Sequence, residues 1–354
     1  MKSSHCYIPL SQLTPVKNQR WEEGVEPIVV VRILTYNHEK YIRECLDSIL
    51  IQETIFPVRI AIFEDCSTDK TAEIVKEYEA KYPEIITAFC QKENTYQKSN
   101  RAVALQPWYD VCFEAKYVAI CEGDDCWLSP HKLQQQFEAL EKHSTIDMCI
   151  HSAVKHNLLQ DEKQKMGVYS DKNGIVSTGD IIQKTHGQIP TASTFLRVNV
   201  LRDFLDFRTK QVGLTVGDIY IHFYGSIRGG AYYINESMSL YREFVQGSFT
   251  LNQLENPEKK VNHIVSRVNA YNYLNTTTDY MFDTAIRYTL RESLTNALKD
   301  IQLSKQQRVY LYRHYSGLLD KQKAIYFFLT YTPYLLYLLF FVKKRLTSKQ
   351  LKIN

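Results

Sequence analysis

An α/β fold, a mostly parallel sheet with helices on both faces, is predicted by three observations. β-Branched runs alternate with helical spacing through the first part of the chain. Each run ends in a polar cluster. From about residue 251 the spacing becomes helical and strongly charged, which predicts a C-terminal helical extension.

Residues 1–26 are polar and lack periodicity, and are expected to form a leader packed on the surface. Residues 28–34, IVVVRIL, predict a buried strand, and Tyr41, Cys45, Leu46, Ile49 and Leu50 follow at helical spacing. A second strand at 58–63 ends in EDCSTD (64–69), which supplies cap candidates for a helix over 71–81, before Pro83. A short strand at 85–89, a polar loop and a further helix lead to YVAI (117–120) and then CEGDDCW (121–127). Ligands of such sheets sit beyond the carboxyl ends of the strands. TYN (35–37), EDCSTD and EGDD (122–125) should therefore converge on one crevice.

Composition narrows the function classes. The chain has 354 residues, 44% hydrophobic and 23% charged, as in ordinary globular proteins. A net charge of +4 gives little support to nucleic-acid binding, and no nucleic-acid partner is expected. The eight cysteines contain no CxxC pair, which argues against a zinc site. The N-terminus MKSSHCYIPLSQLTPVK lacks the apolar stretch of a signal peptide, so reduced cysteines and a cytoplasmic location are expected.

The acids of EGDD raise an electrostatic problem, because like charges beyond a buried strand need a cation or donors. A hard divalent ion, Mg²⁺ or Mn²⁺, shares oxygen ligands with substrate phosphates and meets that need. The plainer alternative is a solvated turn before the helix containing Leu133, Phe137 and Leu140. Tyr36 and Asp65 can hold a nucleobase, the ring by stacking and the acid by accepting a base N–H, although Asp65 alone would be a turn or cap residue. Asp218 opens a helical run, and spacing leaves open whether it caps the helix or serves as a general base. Thr191 and Ser193, after Pro190, are the candidates for an acceptor pocket.

Three stretches, ILTYN (33–37), FEDCSTDKT (63–71) and KYVAICEGDDCWLSPHKLQQQ (116–136), resemble the family 2 glycosyltransferases of GT-A fold, of the bacterial cell-surface polysaccharide type. The later GDIYIHFYGSIRGGAYYINESMSLYR (217–242) is similar to the second half of that family's core. The resemblance covers about residues 27–250 and implies an inverting, metal-dependent transferase (EC 2.4) with Mn²⁺ or Mg²⁺ as cofactor. Its donor would be a nucleotide sugar, usually of uridine, and its acceptor a glycan or a lipid-linked glycan. It implies that Thr35, Tyr36, Asp65, Glu122, Asp124 and Arg242 bind the donor. Asp124 and Asp125 would contact the metal, and Asp218 would deprotonate the acceptor hydroxyl. Two departures stand out: Glu122 replaces the first Asp of the DXD motif, and Phe244 stands where several members have His.

The domain reading is a leader (1–26), a catalytic domain of nucleotide-binding (27–128) and acceptor (129–250) halves, a helical segment (251–323), and an apolar helix with a basic tail (324–354). Residues 324–342 carry no charge and precede Lys343-Lys344-Arg345, which suits a peripheral contact with the cytoplasmic face of the plasma membrane. The rival readings are a nucleotidyltransferase, which would need no base at Asp218, and a non-catalytic membrane-associated scaffold of the same fold.

Overall fold

The computed structural model describes residues 7–319 apart from 97, 99–100, 186, 212, 247 and 249–255, together with residues 326, 330 and 331. The apolar stretch 324–342 and its basic tail thus lie almost wholly outside the described residues. Among these, no helix is long and apolar enough to cross a membrane. The chain falls into two compact units, one of residues 1–210 and 217–247, the other of residues 211–216 and 248–354.

The first unit alternates strands and helices as its pattern predicts. In chain order it contains β1 (Thr14–Pro15), β2 (Val29–Thr35), α1 (Ile42–Leu50), β3 (Glu53–Thr54), β4 (Val58–Glu64), α2 (Thr71–Lys81) and β5 (Ile86–Cys90). Next come α3 (Arg101–Cys112), β6 (Tyr117–Glu122), β7 (Cys126–Trp127), α4 (Lys132–Lys142), β8 (Met148–Asn157), β9 (Glu162–Met166) and β10 (Gly174–Val176). The unit closes with α5 (Thr178–Gln183), β11 (Phe195–Arg197), α6 (Val198–Thr209), α7 (Asp218–Ser226) and β12 (Ala231–Glu243).

The main sheet runs β10-β12-β8-β11-β6-β2-β4-β5, with β7 on β12 and β9 on β8. Strands β6, β2, β4 and β5 pair in parallel, and the Val/Ile-rich β2 and β4 are buried on both faces, as covered parallel strands are. Helix α1 turns Cys45, Leu46, Ile49 and Leu50 into the core as predicted, with Ile42 in the place expected for Tyr41, which is half-buried just before the helix. The second half is mixed: β11 runs antiparallel to both β6 and β8, while β12 returns parallel to β8. The leader is tied down more firmly than a polar sequence suggests. β1 pairs with β3, Val16 is fully buried, and the Gln19 amide donates to the Thr54 carbonyl and hydroxyl.

Under the sheet lies a lysine with no solvent exposure. The Lys132 Nζ donates to Gln136 Oε1 at 2.8 Å and sits 4.0 Å from the centre of the Trp127 ring. Gln136 in turn donates to the carbonyls of Cys149 and Ser193, so α4 is fastened to both β8 and the turn before β11. Burial drives the Lys132 pKa down to about 7.

The second unit contains α8 (Pro257–Thr277), α9 (Asp283–Lys299) and α10 (Lys305–Tyr315). Asn256 caps α8 and Ser304 caps α10 with a reciprocal capping box. Residues 211–216 join this unit although they precede α7 in the chain. Thr215 anchors them: its amide donates to Ser266 Oγ, and its hydroxyl lies 2.8 Å from His263 Nδ1.

Between pH 7 and 10 the unfolded chain binds a proton at Lys132 that the folded chain lacks, so stability rises with pH across that window. Replacing Lys132 by Met should remove this rise. The stability of wild type relative to Lys132→Met, from denaturant titrations, should climb by up to ~1.4 kcal/mol per pH unit from pH 7 upward. Parallel pH profiles would refute the buried-amine assignment.

Candidate active-site crevice

The three polar clusters meet because β4, β2 and β6 are neighbours in register, with Thr35 opposite Glu64 and Leu34 opposite Glu122. All three strands end on the same edge. Loops beyond them are knitted by side chains: Asn37 Oδ1 accepts from the Thr68 amide, the Asn37 amide donates to Ser67 Oγ, and Glu64 Oε1 accepts from the Ser67 amide. Asn37 and Cys66 both hold left-handed backbone, φ 57° and 59°. Asn tolerates that conformation, which explains the residue after Tyr36 structurally.

Tyr36, 37% exposed, stands at the end of β2 beside Asp65, whose amide donates to the Thr35 carbonyl. The Asp65 carboxylate is buried and already partnered. One oxygen accepts from the Thr95 amide and hydroxyl, and the other pairs with Arg101 at 2.8 Å. Arg101 also lies 5.4 Å from the centre of the exposed Tyr96 ring. Asp65 is therefore half of an acid–guanidinium pair rather than a lone carboxylate.

EGDD turns tightly against β2. The Gly123 amide donates to the Leu34 carbonyl, and a Cβ on Gly123 would lie 2.7 Å from Thr35 Cβ and 2.8 Å from His38 Nδ1. Only a hydrogen fits. Burial, and next the Asp124 charge, push the Glu122 carboxyl up to about 8, with Asp218 adding to the effect and Arg32 and Arg101 opposing it. Asp125 is 2% exposed, and its Oδ1 accepts from the Arg242 amide. Burial and the Asp124 charge hold its carboxyl well above the usual carboxylate range. Asp125, expected to ligate metal, is thus turned inward to brace the turn. Asp124 points the other way: its carboxylate accepts no hydrogen bond among the described residues, and its Oδ2 lies 3.7 Å from His38 Nε2.

Arg242 closes the turn from β12. Its guanidinium donates to the Asp124 carbonyl and to Glu44 Oε2, 4.9 Å from the centre of the Tyr41 ring. Two residues on, Phe244 has φ 69°, unusual for a bulky side chain, at the position where the resemblance expects His.

Asp218 is the first residue of α7 and is half-buried. Its Oδ2 accepts from Gln188 Nε2 at 3.4 Å, and no side-chain cap hydrogen bond occurs at this helix start. One turn later His222 is buried, its Nε2 3.0 Å from Thr194 Oγ1, and burial drives its pKa down to about 4 against the pull of Asp218. Of the acceptor candidates, Ser193 is fully buried and gives its hydroxyl to the Pro190 carbonyl, so it shapes the turn and offers nothing to a ligand. Thr191 is half-buried in the same turn.

Among the described residues no group of three or more His, Cys, Asp or Glu side chains is arranged to hold a metal. The free carboxylate of Asp124 nevertheless fits a hard ion that takes one or two protein ligands and completes its shell with phosphate oxygens and water. His38, Arg101 and Glu44 were not singled out by sequence reasoning. His38 directly follows TYN, which is the one available signal; Arg101 follows an unpatterned loop and Glu44 reads as an ordinary first-turn acid.

An exposed aromatic ring, a buried acid–guanidinium pair and an acidic turn are thus gathered where such sheets bind ligands. The family model described as glycosyl transferase family 2 matches residues 30–203, just under half of the chain. An uncharacterised protein of Mycobacterium tuberculosis is 29% identical over 216 residues, 60% of this chain and 58% of that protein. TuaG of Bacillus subtilis, named for a teichuronic acid biosynthesis glycosyltransferase, is 31% identical over 137 residues, 39% of this chain and 50% of its own length. The chain thus spans between half and three-fifths of these relatives. TarS of S. aureus, solved with UDP-GlcNAc, superposes with a TM-score of 0.50 at 16% identity, covering 82% of this chain and 88% of that one. The fold is accordingly GT-A.

Gly123→Ala should be destabilised by about 1–3 kcal/mol, because the new methyl must push β2 and His38 aside. Thermal denaturation checks this, and an unchanged midpoint would contradict the close approach.

Proposed function

We propose that the chain is an inverting glycosyltransferase that moves a sugar from a nucleotide donor, a UDP-sugar, to a hydroxyl of a glycan or lipid-linked glycan in surface polysaccharide synthesis. The observation that carries this reading is the convergence of Tyr36, Asp65 and Asp124 on one sheet edge, with Asp218 close enough in electrostatic terms to act on Glu122. The nucleotide sugar bound by TarS supports a donor of this chemical class.

The base stacks on Tyr36, while Asp65 and Arg101 present an acceptor and donors to its polar edge. Thr35 and Glu122 border the diphosphate position, and Arg242 holds the acidic turn in shape. Asp124 would hold Mn²⁺ or Mg²⁺, which would supply countercharge to the leaving diphosphate. Asp218 accepts the proton as the acceptor oxygen attacks the anomeric carbon. The C–O bond to the diphosphate breaks as the new glycosidic bond forms on the opposite face, so configuration inverts and the nucleoside diphosphate departs. Gln188, donating to Asp218, orients the base.

The apolar segment 324–342 provides a monotopic contact with the cytoplasmic leaflet, which brings a lipid-linked acceptor to the crevice. A chain stopped after residue 320 should lose sedimentation with anionic vesicles; retained sedimentation removes the segment from this role.

Asp218→Asn should lower transfer by about 10²-fold or more while leaving the UDP-induced thermal shift intact. Unchanged turnover would eliminate Asp218 as the base. Tyr36→Ala should weaken UDP binding by about 1–3 kcal/mol, the usual worth of base stacking, in a calorimetric titration.

A further inference from the structure

We propose that His38 is a direct ligand of the divalent cation, making the metal site a histidine–aspartate pair, His38 with Asp124. The inference rests on the donor-site reading above and extends it to a residue outside the acidic motif.

Four observations carry it. His38 Nε2 faces Asp124 Oδ2 across 3.7 Å, too far for a direct hydrogen bond but a span that one ion can bridge. Both side chains are mostly shielded, 13% and 15% exposed, yet neither is sealed from the crevice. The imidazole is held rigidly from behind: Nδ1 lies 3.2 Å from Thr35 Oγ1, and the His38 amide donates to Thr71 Oγ1. Finally, the ring packs so closely on Gly123 that the residue there can carry no side chain.

This is the arrangement a ligating histidine needs. With the proton on Nδ1 and donated to the Thr35 hydroxyl, Nε2 presents its lone pair toward Asp124. Thr35 then fixes tautomer and ring orientation, and Thr71 fixes the backbone. Asp125, by contrast, is committed to the Arg242 amide. One nitrogen and one carboxylate leave the rest of the shell to diphosphate oxygens and water. The nitrogen also sets selectivity, since Mg²⁺ favours oxygen whereas imidazole suits later first-row ions; Mn²⁺ accepts both.

The test uses full-length protein with UDP and follows free Mn²⁺ by electron paramagnetic resonance, which requires no turnover. His38→Gln should weaken Mn²⁺ binding in the presence of UDP by at least the about tenfold expected for Thr35→Val, which removes only the supporting hydroxyl. His38→Asp, which makes an all-oxygen pair, should lower the preference for Mn²⁺ over Mg²⁺, whereas a merely structural histidine would leave that preference unchanged. Circular dichroism confirms that each variant is folded. Wild-type Mn²⁺ affinity in folded His38→Gln, or an unaltered preference in His38→Asp, overturns the ligand assignment while the donor site stands. If wild-type protein binds UDP under no metal condition, the donor-site reading fails and this inference falls with it.

Discussion

The structure depends on how it holds three carboxylates beyond a buried strand. Glu122, Asp124 and Asp125 cannot all face one another in a low-dielectric corner. The turn separates them by direction. Asp125 goes inward to a backbone amide, Asp124 faces His38 with no hydrogen-bond donor among the described residues, and Glu122 ends β6. That division requires Gly123, because β2 approaches closely enough to exclude any side chain there. It also requires β12, which supplies both the Arg242 amide and the guanidinium on the Asp124 carbonyl. β2, β12 and, through Glu44, α1 all meet at this one turn.

The start of α7 is built on a different principle. Asp218 begins a helix whose next inward turn is a neutral, buried His222 bonded to Thr194. Thr194 ends the short turn containing Thr191 and Ser193, which Gln136 ties to α4. Asp218 and the turn of Thr191 and Ser193 are thus linked through one imidazole. The Thr194 carbonyl also accepts from the Ile120 amide of β6, so this turn is bonded to the strand that ends in the acidic cluster.

Much of the nucleotide half was legible because strand ends write their polar residues in short clusters: TYN, EDCSTD and EGDD. Strand neighbours then follow from parallel topology. What stayed hidden depends on contacts across long separations. Arg101 reaches Asp65 over a loop with no periodic pattern, and Glu44 meets Arg242 from a helix whose first turn ordinarily carries acids. The inward rotation of Asp125 was invisible, since adjacent aspartates look alike in a sequence. Ser193 misled for a related reason: a hydroxyl after proline reads the same whether it faces a ligand or its own turn. The attachment of 211–216 to the helical unit also escaped notice, because two side chains, Ser266 and His263, define it.

The hydrogen bond from the Arg242 amide to Asp125 joins positions 117 residues apart. During synthesis, β2, β4 and β6 emerge well before β12. A nascent chain can therefore assemble its parallel core around the acidic turn while Asp125 still lacks its amide partner. The nucleotide half is made early but finished late. A release or cleavage between residues 128 and 241 would leave a sheet that resembles the donor site in outline, yet whose carboxylates have lost the one backbone donor that sorts them.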